Sequence, residues 1–177
     1  MESEKEIIKL QKTAEQGDVD SQYELGVMYF EGNGVDQDYE KAFYWWSKAA
    51  EQGDSSAQNN LGAMYDNGEG VEQDYEKAFY WYSKSSDQGY AIAKFNLGKM
   101  YFCGLGTKKD NYLAFKYWHE AAGENDSDAK FYLSCMYKNG DGVEKDETKA
   151  KELWDDVKNE LDNDTIEHHI SFYYKYR

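Results

Sequence analysis

Three histidines, two cysteines and 35 acidic residues are the raw material for chemistry in this chain of 177 residues. His168 and His169 are adjacent, so on a helix their rings point about 100° apart and hold one ion poorly. His119 has no cysteine at a zinc-site spacing. Ser127-Asp-Ala-Lys130 fits the Ser-x-x-Lys pattern of serine acyl-enzymes, but the companion Ser-Asp-Asn and Lys-Thr-Gly motifs are absent. Ser127 therefore reads as a polar residue opening a helix. Gly32-Asn-Gly34 and its copies lack the Lys-Ser/Thr of a Walker loop and the preceding strand of a dinucleotide loop, so they read as helix stops. Asp66-Asn-Gly-Glu-Gly70 has a calcium-like composition without the order of an EF-hand. Chance alone supplies carboxylate pairs among so many acids, and none has a reason to titrate abnormally. No catalytic residue, metal or cofactor is expected.

Charge and composition narrow the partners. Acids outnumber Lys and Arg 35 to 20, which gives a formal net charge of −15 and a pI near 4.6. Phosphate backbones and anionic membranes call for a basic patch, so neither nucleic acid nor membrane is the expected partner. A basic protein is the natural electrostatic complement. Aromatics at 17% argue for a packed protein rather than an acidic disordered tail. Two cysteines, Cys103 and Cys135, make no disulfide framework, and a reducing compartment fits. The acidic start Met-Glu-Ser-Glu-Lys-Glu is followed by no apolar core, so it does not read as a signal peptide. A cytoplasmic location and a monomer are expected.

The elements that would position any site come from an internal period of 36. Leu25, Leu61, Leu97 and Leu133 fall in register, as do Tyr29, Tyr65, Tyr101 and Tyr137. Asp38, Asp74, Asp110 and Asp146 do the same. Residues 18–53 and 54–89 agree at 22 of 36 positions without a gap. A fixed period of this length marks a solenoid. Four units follow, 18–53, 54–89, 90–125 and 126–161, in a single solenoid domain over 1–177. Each unit reads as two helices. Gly32-x-Gly34 stops the first, Asp38 caps the second, and Ala42, Trp46 and Ala49 form the second helix's inner stripe. Gly26, Gly62 and Gly98 sit mid-helix, where glycine costs about 1 kcal/mol, a cost tolerable if a neighbouring backbone approaches closely. Ser134 breaks that series, so a looser contact is expected there. Residues 1–17 form an N-terminal half-repeat cap, with Leu10 and Ala14 in the places of Trp46 and Ala50. Residues 162–177 read as a C-terminal capping helix over the fourth unit.

The pattern Ala-x-x-x-Leu-Gly-x-Met-Tyr-x-x-Gly-x-Gly-Val-x-x-Asp-Tyr-x-Lys-Ala-x-x-Trp, seen best at residues 57–81, resembles the Sel-one-like repeat, a relative of the tetratricopeptide repeat. The fourth unit departs from it with Ser134, Glu147 and Val157. The resemblance implies an all-α fold, a right-handed α-solenoid acting as a non-catalytic protein-interaction scaffold, whose bacterial members serve in signalling, host interaction and toxin–antitoxin-type partnerships. Cysteine-rich secreted relatives staple each repeat with a disulfide, and this chain lacks those pairs.

In such solenoids the first helices line the concave face. Leu25 and Tyr29 face the core, so the opposite stripe should carry Tyr23, Val27 and Phe30 in the first unit. Asn59 and Asp66 follow in the second, Ile92, Phe95, Lys99 and Phe102 in the third, and Phe131, Cys135 and Lys138 in the fourth. These positions vary between units while the packing positions repeat. The aromatics among them are candidate anchors for a partner. Cys103 and Cys135 sit at offsets four residues apart in adjacent units, and free thiols are expected. The leading expectation is a module that binds another protein, a basic one, in this groove. Its sharper form is an acidic inhibitor, immunity protein or chaperone for a basic toxin or effector. A generic signalling or virulence adaptor is the alternative, and a small-ligand binder or hydrolase working in the groove is the rival class.

Overall fold

A carboxylate opens most of the helices. Asp18, Asp54 and Asp126 cap the first helices of their units, each accepting the backbone N–H three residues on. Asp38, Asp74, Asp110 and Asp146 cap the second helices in the same way. The backbone N–H of Lys41, and then its ammonium, hold the Asp38 carboxyl below the usual carboxylate range. The third unit has Tyr90 where the others have the first-helix aspartate, and its first helix carries no such cap. At the other end, Gly32 takes the left-handed conformation at φ 72° and its N–H reaches Met28 O, as a helix-stopping glycine should. The second glycine of the motif has a different duty. A Cβ on Gly70 would stand 2.4 Å from the carbonyl oxygen of Tyr39, so only glycine admits that approach.

The structure, a computed structural model, describes residues 2–177, with side chains from Glu6 onward. Every regular element among them is a helix, and the chain divides into two compact units of two repeats each. Unit 1, Met1–Tyr90, holds α1 (Glu2–Glu15), α2 (Val19–Glu31), α3 (Tyr39–Glu51), α4 (Ser55–Asn67) and α5 (Tyr75–Asp87). Unit 2, Ala91–Arg177, holds α6 (Ala91–Cys103), α7 (Asn111–Gly123), α8 (Ser127–Asn139), α9 (Glu147–Val157) and α10 (Asn163–Tyr176). Within each unit, consecutive helices pack in antiparallel pairs, and the second helix of one repeat receives the first helix of the next.

In unit 1 the predicted stripe Ala42, Trp46 and Ala49 is buried against Ala57, Leu61 and Met64. Leu10 and Ala14 of α1 pack on Leu25 and Trp45. The mid-helix glycines need one correction: what presses on them is a ring, not a backbone. A Cβ on Gly26 would lie 2.2 Å from Cδ1 of Trp46, and one on Gly98 would lie 2.4 Å from Cδ1 of Trp118. Those indoles also donate to Tyr23 O and Phe95 O, each at 3.1 Å, which pins the ring across the helix. Ser134 replaces this glycine in the fourth repeat, and the corresponding ring, Trp154, is only half-buried, as a looser contact requires.

The turn at the end of unit 2 differs from those before it. Asp162 lies 36 residues after Asp126 and caps α10 through the Thr165 N–H, so the register starts a fifth first helix. The turn before it does not follow. Gly17, Gly53 and Gly89 have φ of 97°, 99° and 88°, and Asn125 has 65°, but the next register position is Leu161. A leucine seldom adopts that left-handed backbone. Leu161 instead donates its N–H back to Val157 O. α10 therefore does not stack on α9 but lies on α8 and reaches α6, covering the first-helix face of unit 2 rather than the end of the fourth repeat.

Candidate functional site

The first-helix face exists in both units, in two states. In unit 2 it is occupied. Phe102, fully buried, stacks on Tyr173 of α10 with ring centroids 5.0 Å apart. Lys99 lies with its Nζ 5.5 Å from the centre of the Phe172 ring. His169 sits between Tyr132 and Asp128 of α8: Nδ1 is 3.1 Å from the Tyr132 hydroxyl and Nε2 is 2.9 Å from Asp128 Oδ1. A carboxylate only accepts, so Nε2 carries the proton, and in the neutral ring Nδ1 accepts from the phenol. The far end is fixed on Asp141, whose Oδ2 accepts from the Tyr173 hydroxyl at 2.5 Å and from Arg177 Nε at 2.7 Å. Lys109 closes the contact by donating to the carbonyl of Tyr176.

This placement corrects three expectations. Phe102 and Phe131 are not open anchors: both are buried, the one under Tyr173 and the other against His169 and Trp154. Asn59 is also buried, beside Asn60. The chain's own last helix lies across the unit 2 portion of the stripe, on Phe102 and Lys99. Phe95 is half-buried against Trp118 and Tyr132, and Ile92 is 48% exposed at the start of α6. Sequence reasoning passed over His169 as a failed chelator. The signal was its register: it stands where Leu25, Leu61, Leu97 and Leu133 stand, and a polar group there announces a helix with another seat.

In unit 1 the equivalent face is open. Tyr23, Val27 and Phe30 of α2 and Asp66 of α4 are half-buried, and the helices packed most closely on α2 within unit 1 are α1 and α3. Burial, then the neighbouring Tyr90, pushes the Tyr23 phenol above its ordinary value, while a hydrogen bond with Asn60 pulls the other way. The Phe30 ring lies 5.2 Å from both Trp46 and Tyr39.

Cys135 and Lys138 line a cleft of about 820 Å³ between α8, α9 and α10, walled by Phe131, Trp154, Ile170 and Tyr174. Neither cysteine is in a disulfide. Burial pushes the Cys135 thiol up to about 11. Its thiolate at pH 8 should be about a hundredfold scarcer than that of an ordinary cysteine. Iodoacetamide should accordingly label Cys135 about a hundredfold more slowly in the folded protein than in urea, read by peptide mass spectrometry; equal rates would contradict the buried thiol. In the Ser-x-x-Lys pattern the Ser127 hydroxyl donates to the Glu160 carboxylate. Among the described residues no three His, Cys, Asp or Glu side chains converge on a point, and no helix is long and apolar enough to cross a membrane.

Paired, capped helices at a 36-residue period, with packing positions repeated and one face varied, define a helical-repeat protein of the interaction class. The Sel1 repeat family matches residues 19–54, 55–90, 91–126 and 127–155, and the chain belongs to that family. It is a Sel1-repeat protein-interaction module. Its fold is similar to that of c5321, a protective antigen present in uropathogenic Escherichia coli strains that displays an SLR fold, with 36% identity and a TM-score of 0.83 over 88% of this chain and 33% of that one. A Sel1 repeat protein from Oxalobacter formigenes matches with 30% identity and a TM-score of 0.80 over 85% and 60%. The chain thus spans about a third and three fifths of the lengths of these relatives. The immunity protein Pa5087 from Pseudomonas aeruginosa shares the fold, with 19% identity and a TM-score of 0.57 over 96% and 72%. No curated protein matches the chain.

Proposed function

We propose that this chain binds a basic protein on the first-helix face of unit 1, as an inhibitor, immunity protein or chaperone for a toxin or effector. The observation that carries the reading is the half-buried set Tyr23, Val27 and Phe30, with Asp66 at the Phe30 register of the next repeat, in a chain of net charge −15. Half-buried apolar side chains at the edge of the unit 1 core supply the anchor, and the acidic chain steers a basic partner toward it. Pa5087 supports the reading only as a likeness of fold.

The test is capture from lysate of the source organism with wild type beside Val27→Glu, read by mass spectrometry. A basic protein held by wild type and depleted about tenfold or more by the variant is expected. Its association rate should fall steeply between low and high salt. An acidic protein, or the same proteins on both baits, would overturn the proposal.

A further inference from the structure

The chain displays on unit 2 the kind of segment that unit 1 has room for. Two periods of 36 residues carry Phe102 onto Phe30 and Asp141 onto Glu69. The rings are set alike: Phe102 lies 5.3 Å from Trp118 and Phe30 lies 5.2 Å from Trp46. They differ in their cover. Phe102 is fully buried under Tyr173, whereas Phe30 is half-buried beside the Tyr39 ring, 5.2 Å away, where unit 2 has Asn111. The carboxylates also correspond. Asp141 follows the C-cap Gly140, and Glu69 follows the C-cap Gly68, so both stand on the same turn beyond their first helices. Asp141 takes the hydroxyl of Tyr173 and the guanidinium of Arg177, and Glu69 offers a carboxylate at the matching place.

We propose that the element a partner lays on unit 1 is a helix of the α10 type, with aromatics at i, i+3 and i+4 and a cation at i+8. Those are the spacings of His169, Phe172, Tyr173 and Arg177, and the first three put one face of a helix into a groove. The departures between units refine the segment. Val27 replaces Lys99 under the i+3 ring, so unit 1 favours an apolar residue there without a cation beneath it. Asn60 replaces Tyr132, which removes the ring that meets His169 and leaves room for a larger aromatic at i. The proposal rests on the reading of unit 1 as the binding face and adds the chemistry of what binds.

The probe is the synthetic peptide Asp162–Arg177, labelled and titrated with the full chain by fluorescence anisotropy. The tethered α10 keeps the unit 2 face filled, because its effective concentration far exceeds that of the free peptide. One saturable site is expected. Val27→Glu should weaken it about tenfold or more, and Glu69→Lys, a change on a surface turn, should weaken it about as much. A peptide with Ala at the Tyr173 position should lose binding. No saturable binding, or binding unchanged by both variants, would overturn the proposal. A partner captured in a Val27-dependent way while the peptide fails to bind sinks this inference and leaves the function standing. A peptide that binds unit 1 when no captured protein depends on Val27 does the reverse.

Discussion

Gly98→Ala is expected to destabilise the protein by about 2 kcal/mol, although the same substitution in an ordinary helix stabilises it. Replacing a mid-helix glycine recovers about 1 kcal/mol of helix propensity. Here the new methyl would sit 2.4 Å from Cδ1 and Nε1 of Trp118. That indole cannot yield. It is fully buried, its N–H is held by Phe95 O at 3.1 Å, and its ring is stacked 4.7 Å from Tyr132. α6 and α7 would have to part, and overpacking of that kind costs about 1–3 kcal/mol or more. The cost exceeds the gain, and a fall in Tm of about 4–8 °C should be read by calorimetry or circular dichroism. Gly123→Ala is the control: a Cβ there meets nothing within 4 Å, so it should raise Tm slightly. If both substitutions raise Tm, the ring contact is not what keeps glycine at 98.

That contact also marks where the sequence is transparent. The 36-residue register, the aspartate caps and the Ala42–Trp46–Ala49 stripe are local or periodic features, and each survives in the fold because neighbouring repeats solve the same packing problem. The Gly26 series was legible as a close approach but not as a ring contact, since the period puts Trp46 on the inner stripe without saying which residue of the facing helix its ring meets. The candidate site was legible as a face and not as a surface. Phe30 and Phe102 share a register and a tryptophan contact, and the full burial of Phe102 comes from a helix whose course changes at one turn. The decisive residue is Leu161, at a position held by Gly17, Gly53, Gly89 and Asn125 in the regular turns. A backbone preference there decides whether a helix stacks on α9 or folds across α6 and α8, and hence which aromatics are core.

Tyr173→Ala should cost unit 2 about 3–5 kcal/mol, the usual range for removing a buried aromatic. Tyr173 is fully buried, stacked on Phe102, and bonded to Asp141. Burial and then the Asp141 carboxylate push its phenol well above the ordinary range, so the proton stays on the bond it donates. Tyr173→Phe separates the two contributions: it keeps the stack, loses a hydrogen bond to a charged acceptor, and should cost about 1.5–3 kcal/mol. Tyr174→Ala, removing a side chain that is 51% exposed, should change stability little. Equal effects at 173 and 174 would show that α10 is not anchored where the geometry places its weight. The larger consequence is functional. A chain that survives Tyr173→Ala should release α10, and protease should then cut within residues 162–177 while the repeats stay intact. Releasing α10 bares Phe102. The number of sites for the free Asp162–Arg177 peptide should therefore rise from one to two, the second abolished by Lys99→Glu or Phe102→Glu and untouched by Val27→Glu. A peptide stoichiometry that stays at one in the released variant would mean that the two first-helix faces, alike in register and in ring geometry, are not alike in what they hold.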